Sequence, residues 1–217
     1  CTEKRRISPD CAAFRNGPGL SGFTARMMPF SGSSVSIRFA ARFCPSRCGE
    51  ERQVERHDIA WSSVFAHSGS WRPPHGDDEL SLAIGFFDGV HRGHAEVIRE
   101  AVRLGRMRGL RPAVMTFEPH PRVVLGSDPE RVRVLTPLEE KLRLLGELGI
   151  EVAYVVAFDR EFARMPAERF VRELLLPLGA RTVAVGFDFR FGSGGRGDPE
   201  TLRAAGGDRI EVRVCLL

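Results

Sequence analysis

The chain has 217 residues, 42% hydrophobic and 28% charged, a balance that supplies a buried core and excludes wholesale disorder. Its formal net charge of +4 divides unevenly: residues 1–76 carry 11 Lys+Arg against 6 Asp+Glu, and residues 77–217 carry 21 against 22. The later part therefore has no bulk attraction to nucleic acid, and no stretch approaches the ~20 apolar residues of a membrane helix.

No period of 3.6 or 2 is sustained through the first ~76 residues, which Gly-Pro-Gly, Ser-Gly-Ser-Ser and Pro-Pro interrupt. The sequence opens on Cys1, which leads us to expect a fragment or a processed product. We leave residues 1–77 unassigned as a poorly ordered or non-native tail, with an Arg- and Ser-rich leader as the alternative. We take 78–217 as the folded domain. Cys44 and Cys48 have the look of half a zinc site, but no second pair follows at finger spacing, and His57 and His67 are loosely placed. Five cysteines, four of them in the first quarter, make no disulfide framework, and we expect a cytoplasmic protein. Only two of the 32 basic residues are lysine, Lys4 and Lys141, which we read as a habit of composition.

From Glu79 the texture changes. Leu80 to Phe87 is an apolar, strand-length run broken by Gly89 and Gly93. Val97, Ile98, Ala101 and Val102 then recur at helical spacing up to Gly109. Pro112 to Phe117 is a second buried strand. Thr136-Pro137-Leu138-Glu139 reads as a capping box with proline at the first helical position, opening a helix with Leu138, Leu142, Leu145 and Leu148 on one face. Val152 to Phe158 is a strand, and Ala167 to Leu175 an amphipathic helix. Thr182 to Val185 is a strand, Pro199 to Ala205 a short helix, and Ile210 to Val214 a last strand. Strands apolar on both faces, alternating with helices, predict an α/β fold with an open parallel sheet, Rossmann-like, of about five strands covered on both faces. Ligands of such sheets sit at the carboxyl ends of the strands.

The run Gly85-Phe86-Phe87-Asp88-Gly89-Val90-His91-Arg92-Gly93-His94 fills the first of these ends. It places two histidines at a helix N-terminus, where unpaired N–H groups and the positive end of the helix dipole favour anions. Gly93 leaves room for a bulky anion, and neutral imidazoles donate to phosphate oxygens without a permanent buried charge. Neither G-x-x-x-x-G-K-[ST] nor a strand-linked G-x-G-x-x-G occurs.

The Gly85–His94 run resembles the G-x-F-D-G-V-H-x-G-H signature of bacterial FAD synthetases, a branch of the HIGH-type nucleotidylyltransferases. Thr116-Phe117-Glu118-Pro119-His120-Pro121 is similar to that family's T-F-x-P-H-P segment. Leu135-Thr136-Pro137 with Glu140-Lys141 is similar to its L-T-x-x-x-E-K helix start. Gly186-Phe187-Asp188-Phe189-Arg190-Phe191-Gly192 through Gly197-Asp198 resembles its G-x-D-F-x-F-G…G-D segment. The resemblance implies transfer of AMP from ATP to FMN, giving FAD and pyrophosphate, with Mg²⁺.

It also implies site residues. His91 and His94 hold the ATP phosphates, and Gly85, Phe87, Asp88, Gly89 and Gly93 surround the nucleotide. Asp88 is either an orienting group or a cap of its own turn. Asp188 serves catalysis and meets the metal, through water. Phe117, Pro119, Phe187, Phe189, Arg190, Phe191 and Asp198 bind FMN, with Arg196 a further phosphate partner. The three phenylalanines at 187, 189 and 191 alternate, so they project to one side, as a flavin wall or as core. His120 is either structural or part of the site. Phe86 stands where many relatives have Asn, and the chain ends before the family's Ser-Ser-x-x-Ile-Arg segment and the riboflavin kinase domain that usually follows. A nucleotidylyltransferase for another small phosphorylated substrate, or a nucleotide-binding fragment without catalysis, are the alternatives.

Overall fold

Leu80, Leu82, Ala83 and Ile84 are fully or almost fully buried, which an apolar run achieves when helices cover both faces of its strand. The computed structural model describes residues 53–65, 71, 73–74, 76–126 and 132–216. These build one six-stranded sheet of β1 (Glu55–Ile59), β2 (Leu80–Ile84), β3 (Arg111–Glu118), β4 (Val152–Ala157), β5 (Ala180–Gly186) and β6 (Glu211–Cys215). The order is β1-β4-β3-β2-β5-β6, and every pairing is parallel. The helices are α1 (Trp61–Phe65), α2 (Arg92–Arg108), α3 (Pro121–Leu125), α4 (Leu138–Glu147), α5 (Ala167–Phe170, continued by a π-helical turn Val171–Leu175) and α6 (Pro199–Gly206). Among the described residues no helix is long and apolar enough to cross a membrane.

Two cores flank the sheet. On one face Val97, Ile98, Ala101 and Val102 of α2 and Leu142 and Leu145 of α4 cover Ala83, Val114, Ala153 and Ala184. On the other, Trp61, Phe170, Val171, Leu174, Leu175 and Leu202 cover Leu82, Met115, Tyr154 and Val183. Each large side chain so buried contributes about 1.5–3 kcal/mol.

Three local expectations change. The sheet has six strands, because β1 lies inside the stretch left unassigned through residue 77. It pairs with β4 from Glu55↔Val152 to Ile59↔Val156, and Ile59 and Trp61 enter the core. Arg56, His57 and Asp58 interrupt its apolar character, as an edge strand tolerates. Residues 1–52, with the Cys44/Cys48 pair, and His67 lie outside the described residues. The capping box at Thr136 does not form: α4 starts at Leu138 with Pro137 as its cap residue and no side-chain cap. The Thr136 hydroxyl instead accepts the Gly89 N–H at 3.0 Å. Finally, the helix after Ala167 widens, as Leu176 N–H bonds back five residues to the Val171 carbonyl.

The chain runs β2, β3, β4 outward on one side of β2, then crosses back to place β5 on its other side. That reversal makes a crevice at the carboxyl ends of β2 and β5.

Candidate active site

The loop leaving β2 turns sharply before α2. Phe87 (φ 53) and Val90 (φ 37) both adopt left-handed backbone, rare for bulky and β-branched residues, and such strain persists where surrounding contacts enforce it. Gly85 permits the first bend, since a Cβ there would lie 2.9 Å from the Phe87 ring. Gly89 (φ 71) supplies the second. The contacts that enforce the loop come from the segment opening α4. The Asp88 carboxylate accepts the N–H groups of Leu135 and Thr136 at 3.0 Å, and Gly89 donates to Thr136. Lys141, fully buried, donates from Nζ to the Phe86 carbonyl at 3.1 Å.

This loop delivers the histidine pair. His91 caps α2, its Nδ1 accepting the His94 N–H at 3.4 Å. A neutral His91 therefore carries its proton on Nε2. The rings of His91 and His94 stack at 3.6 Å between centroids and 22° between planes, and His94 stands edge-on to Phe87 at 5.4 Å. His94 Nδ1 is buried with no hydrogen-bond partner. Burial, and then the neighbouring His91, push its pKa down to about 4, while the charges of Asp88 and Asp188 pull weakly upward. His94 is thus a neutral imidazole at pH 7. The 17-residue α2 adds its N-terminal dipole to the same spot. Gly93 lies half-buried in its first turn.

Asp188 follows β5 and is exposed, yet its charge reaches His94 across the crevice. Of the residues expected to surround the nucleotide, Phe87 does not present its ring: at 2% exposure the whole residue belongs to the core beneath α2. Asp88 spends both oxygens on backbone N–H groups, so the orienting role fits its geometry.

The flavin-side expectations divide. Gly186 to Phe189 is a turn, closed by Phe189 N–H to the Gly186 carbonyl, rather than an extended run. The three phenylalanines consequently do not share a side. Phe187 is exposed, at 54%, while Phe189 and Phe191 stack on each other at 5.4 Å and pack on the core. Phe117 is likewise half-buried, 5.8 Å from Phe162 and 6.2 Å from Phe158. Asp198 caps α6, accepting Thr201 N–H and Oγ1–H at 2.8 Å, and these bonds hold its carboxyl below the usual range. Arg190, Arg196 and Pro119 are exposed. His120 caps α3 through Nδ1 to Arg122 N–H and lies 3.9 Å from the Phe86 ring. Burial, and then Arg122, lower its pKa.

Lys141 was missed as a functional residue. Its sequence signals are its place in the Glu140-Lys141 helix-start motif and its being a lysine in an arginine-dominated chain.

Paired imidazoles, a helix N-terminus and an opposed carboxylate at a strand-order reversal suit a polyphosphate. The family model described as FAD synthetase matches residues 74–215, more than half of the chain. The chain belongs to the FAD synthetase family. It is 41% identical over 133 residues to the bifunctional riboflavin kinase/FMN adenylyltransferase of Listeria monocytogenes, covering 61% of this chain and 42% of that protein. It is 46% identical over 126 residues to the protein of the same name from Escherichia coli K12, covering 58% and 40%. The FAD synthetase domain thus spans about two fifths of the length of these curated relatives. A crystal structure titled macrolide-efflux protein, from Streptococcus pneumoniae, shares the fold with a TM-score of 0.59 at 24% identity, over 75% of this chain and 51% of that one.

Proposed function

We propose that this domain transfers AMP from ATP to FMN, forming FAD and pyrophosphate. The observation that carries the reading is the stacked His91–His94 pair at the N-terminus of α2, within a chain of the FAD synthetase family. The FMN phosphate is an anion at neutral pH, so an oxygen of it attacks the α-phosphorus of ATP without a general base. The bond from that phosphorus to the bridging oxygen breaks, and pyrophosphate leaves. Catalysis is then a matter of positioning and charge stabilisation. His91 offers its Nε2–H, and the half-buried His94 the part of its ring that faces solvent, to oxygens that gain charge in the transition state.

Among the described residues no group of three or more His, Cys, Asp and Glu could hold a metal on its own. The exposed Asp188 carboxylate fits a Mg²⁺ that arrives on the nucleotide and meets the protein through water. When bound, that ion neutralises phosphate charge. On the flavin side, exposed Phe187 offers an aromatic surface, and exposed Arg190 and Arg196 offer cations to the FMN phosphate. The resemblance assigns FMN contacts to Phe117, Phe189, Phe191, Asp198 and Pro119 as well. The relatives' names pair this activity with riboflavin kinase, which makes FMN, and we place the same partner activity in the whole protein. A reducing cytoplasm suits its five cysteines.

Purified protein given labelled ATP and FMN should release pyrophosphate and form FAD. His91→Ala should lower kcat at least about 100-fold, in the range for losing one charge-stabilising donor, with a smaller change in the KM for ATP. Pyrophosphate release with glycerol 3-phosphate alone, or full turnover by His91→Ala, would overturn the reading.

A further inference from the structure

Lys141 has no solvent exposure and stands in the second half-turn of α4, too deep to touch a substrate. Its ammonium has one close acceptor, the Phe86 carbonyl at 3.1 Å, with Thr116 Oγ1 further off at 3.5 Å. Thr116 Oγ1–H donates to the same carbonyl at 3.0 Å. The ammonium also sits 4.1 Å above the centroid of the Phe86 ring, whose other contact is His120. Phe86 is therefore gripped through both its backbone and its side chain. It is the residue next to Phe87, where the loop enters its first left-handed bend. Asp88 and Gly89 are tied to the same segment through Leu135 and Thr136. The ties of Lys141, Asp88 and Gly89 converge on the start of α4, Thr116 adds one from β3, and His91 follows Gly89 by two residues.

An apolar side chain would fill this volume without the cost of desolvating a charge. What the ammonium adds is a fixed direction for one peptide. Arginine, the base this chain otherwise uses, carries a broad planar fork, whereas a compact ammonium fits under a single carbonyl. Burial lowers the Lys141 pKa, and Glu118 and Asp88 oppose that shift.

We propose that Lys141 is a positioning residue for the AMP transfer: by holding the Phe86 peptide it sets the loop that carries His91 and His94 to the nucleotide. The proposal rests on the functional reading above for its reaction, though not for its effect on the loop.

The test compares wild type with Lys141→Met, using FAD formation and amide hydrogen exchange on folded protein without ligand. The expected result is a kcat at least tenfold lower, KM for ATP and FMN within about threefold, and exchange across residues 86–91 at least tenfold faster. If Lys141→Met does not fold, Thr116→Val, which removes the second grip on the Phe86 carbonyl, is expected to give the same pattern more weakly. A lower melting temperature with wild-type kcat per folded molecule and unchanged loop exchange would overturn the proposal. Faster loop exchange in a protein whose wild type makes no FAD would support the positioning and sink the proposed reaction instead.

Discussion

His94 shows how one side chain ties stability to binding. Its pKa in the folded chain is about 4, against an ordinary value of 6.5. Between those values the unfolded chain binds the proton and the folded chain does not, so stability rises with pH across that window. It is flat above it and is lost as pH falls toward 4. We expect the urea midpoint to drop from pH 6.5 to 4 in wild type and to drop less in His94→Gln, where the depressed imidazole is gone. Equal pH slopes would place the acid sensitivity in other groups. An anion bound at the same helix end would favour the charged imidazole and raise that pKa.

At the scale of elements, the loop leaving β2 and the segment opening α4 form one unit. Asp88 is the hinge of that unit through three N–H···O contacts at 3.0 Å. Asp88→Ala leaves two backbone donors without their acceptor and should cost about 1–3 kcal/mol. It should also lower kcat about tenfold, because the histidine loop loses its tie. Asp88→Asn keeps an acceptor oxygen and should retain most of both. Urea unfolding and steady-state kinetics on the pair check this, and an Asn variant as impaired as Ala would mean the charge itself meets the nucleotide. Thr136 belongs to the same unit. Its motif looks like a capping box, yet its hydroxyl serves Gly89, because Pro137 already opens the helix and the nearby loop offers a better donor.

For the whole molecule, the edge strand β1 and the turn of helix after it complete one face of the sheet. Trp61 is 2% exposed and packs edge-on to Phe162 at 5.9 Å. Trp61→Ala should therefore destabilise the protein by about 3–5 kcal/mol, the range for emptying a buried aromatic site, although the residue lies well before the histidine motif. Thermal or urea unfolding measures it, and a change below about 1 kcal/mol would show that this face is not closed by Trp61. The reversal of strand order between β4 and β5 acts at the same scale, since it brings Asp188 opposite a histidine almost a hundred residues earlier.

Five strands, their alternation with helices, and the histidine pair at a helix start were legible in the residues, because burial on both faces leaves unbroken apolar runs and the turn demands glycines. β1 was not, since an edge strand facing solvent reads like a loop. The local motif, a glycine-bearing turn that sets two histidines at a helix start, followed from sequence, whereas the left-handed bends of Phe87 and Val90 and the burial of His94 came from packing. Which aromatic rings face the crevice did not follow from sequence: the turn at Gly186–Phe189 breaks the alternation of Phe187, Phe189 and Phe191, and the latter two pack on the core. Nor did the contacts of Lys141, for the Glu140-Lys141 motif does not say what its ammonium touches. Its meaning comes from a carbonyl 55 residues away in the chain, which only the packing of α4 against the β2 loop brings within 3.1 Å.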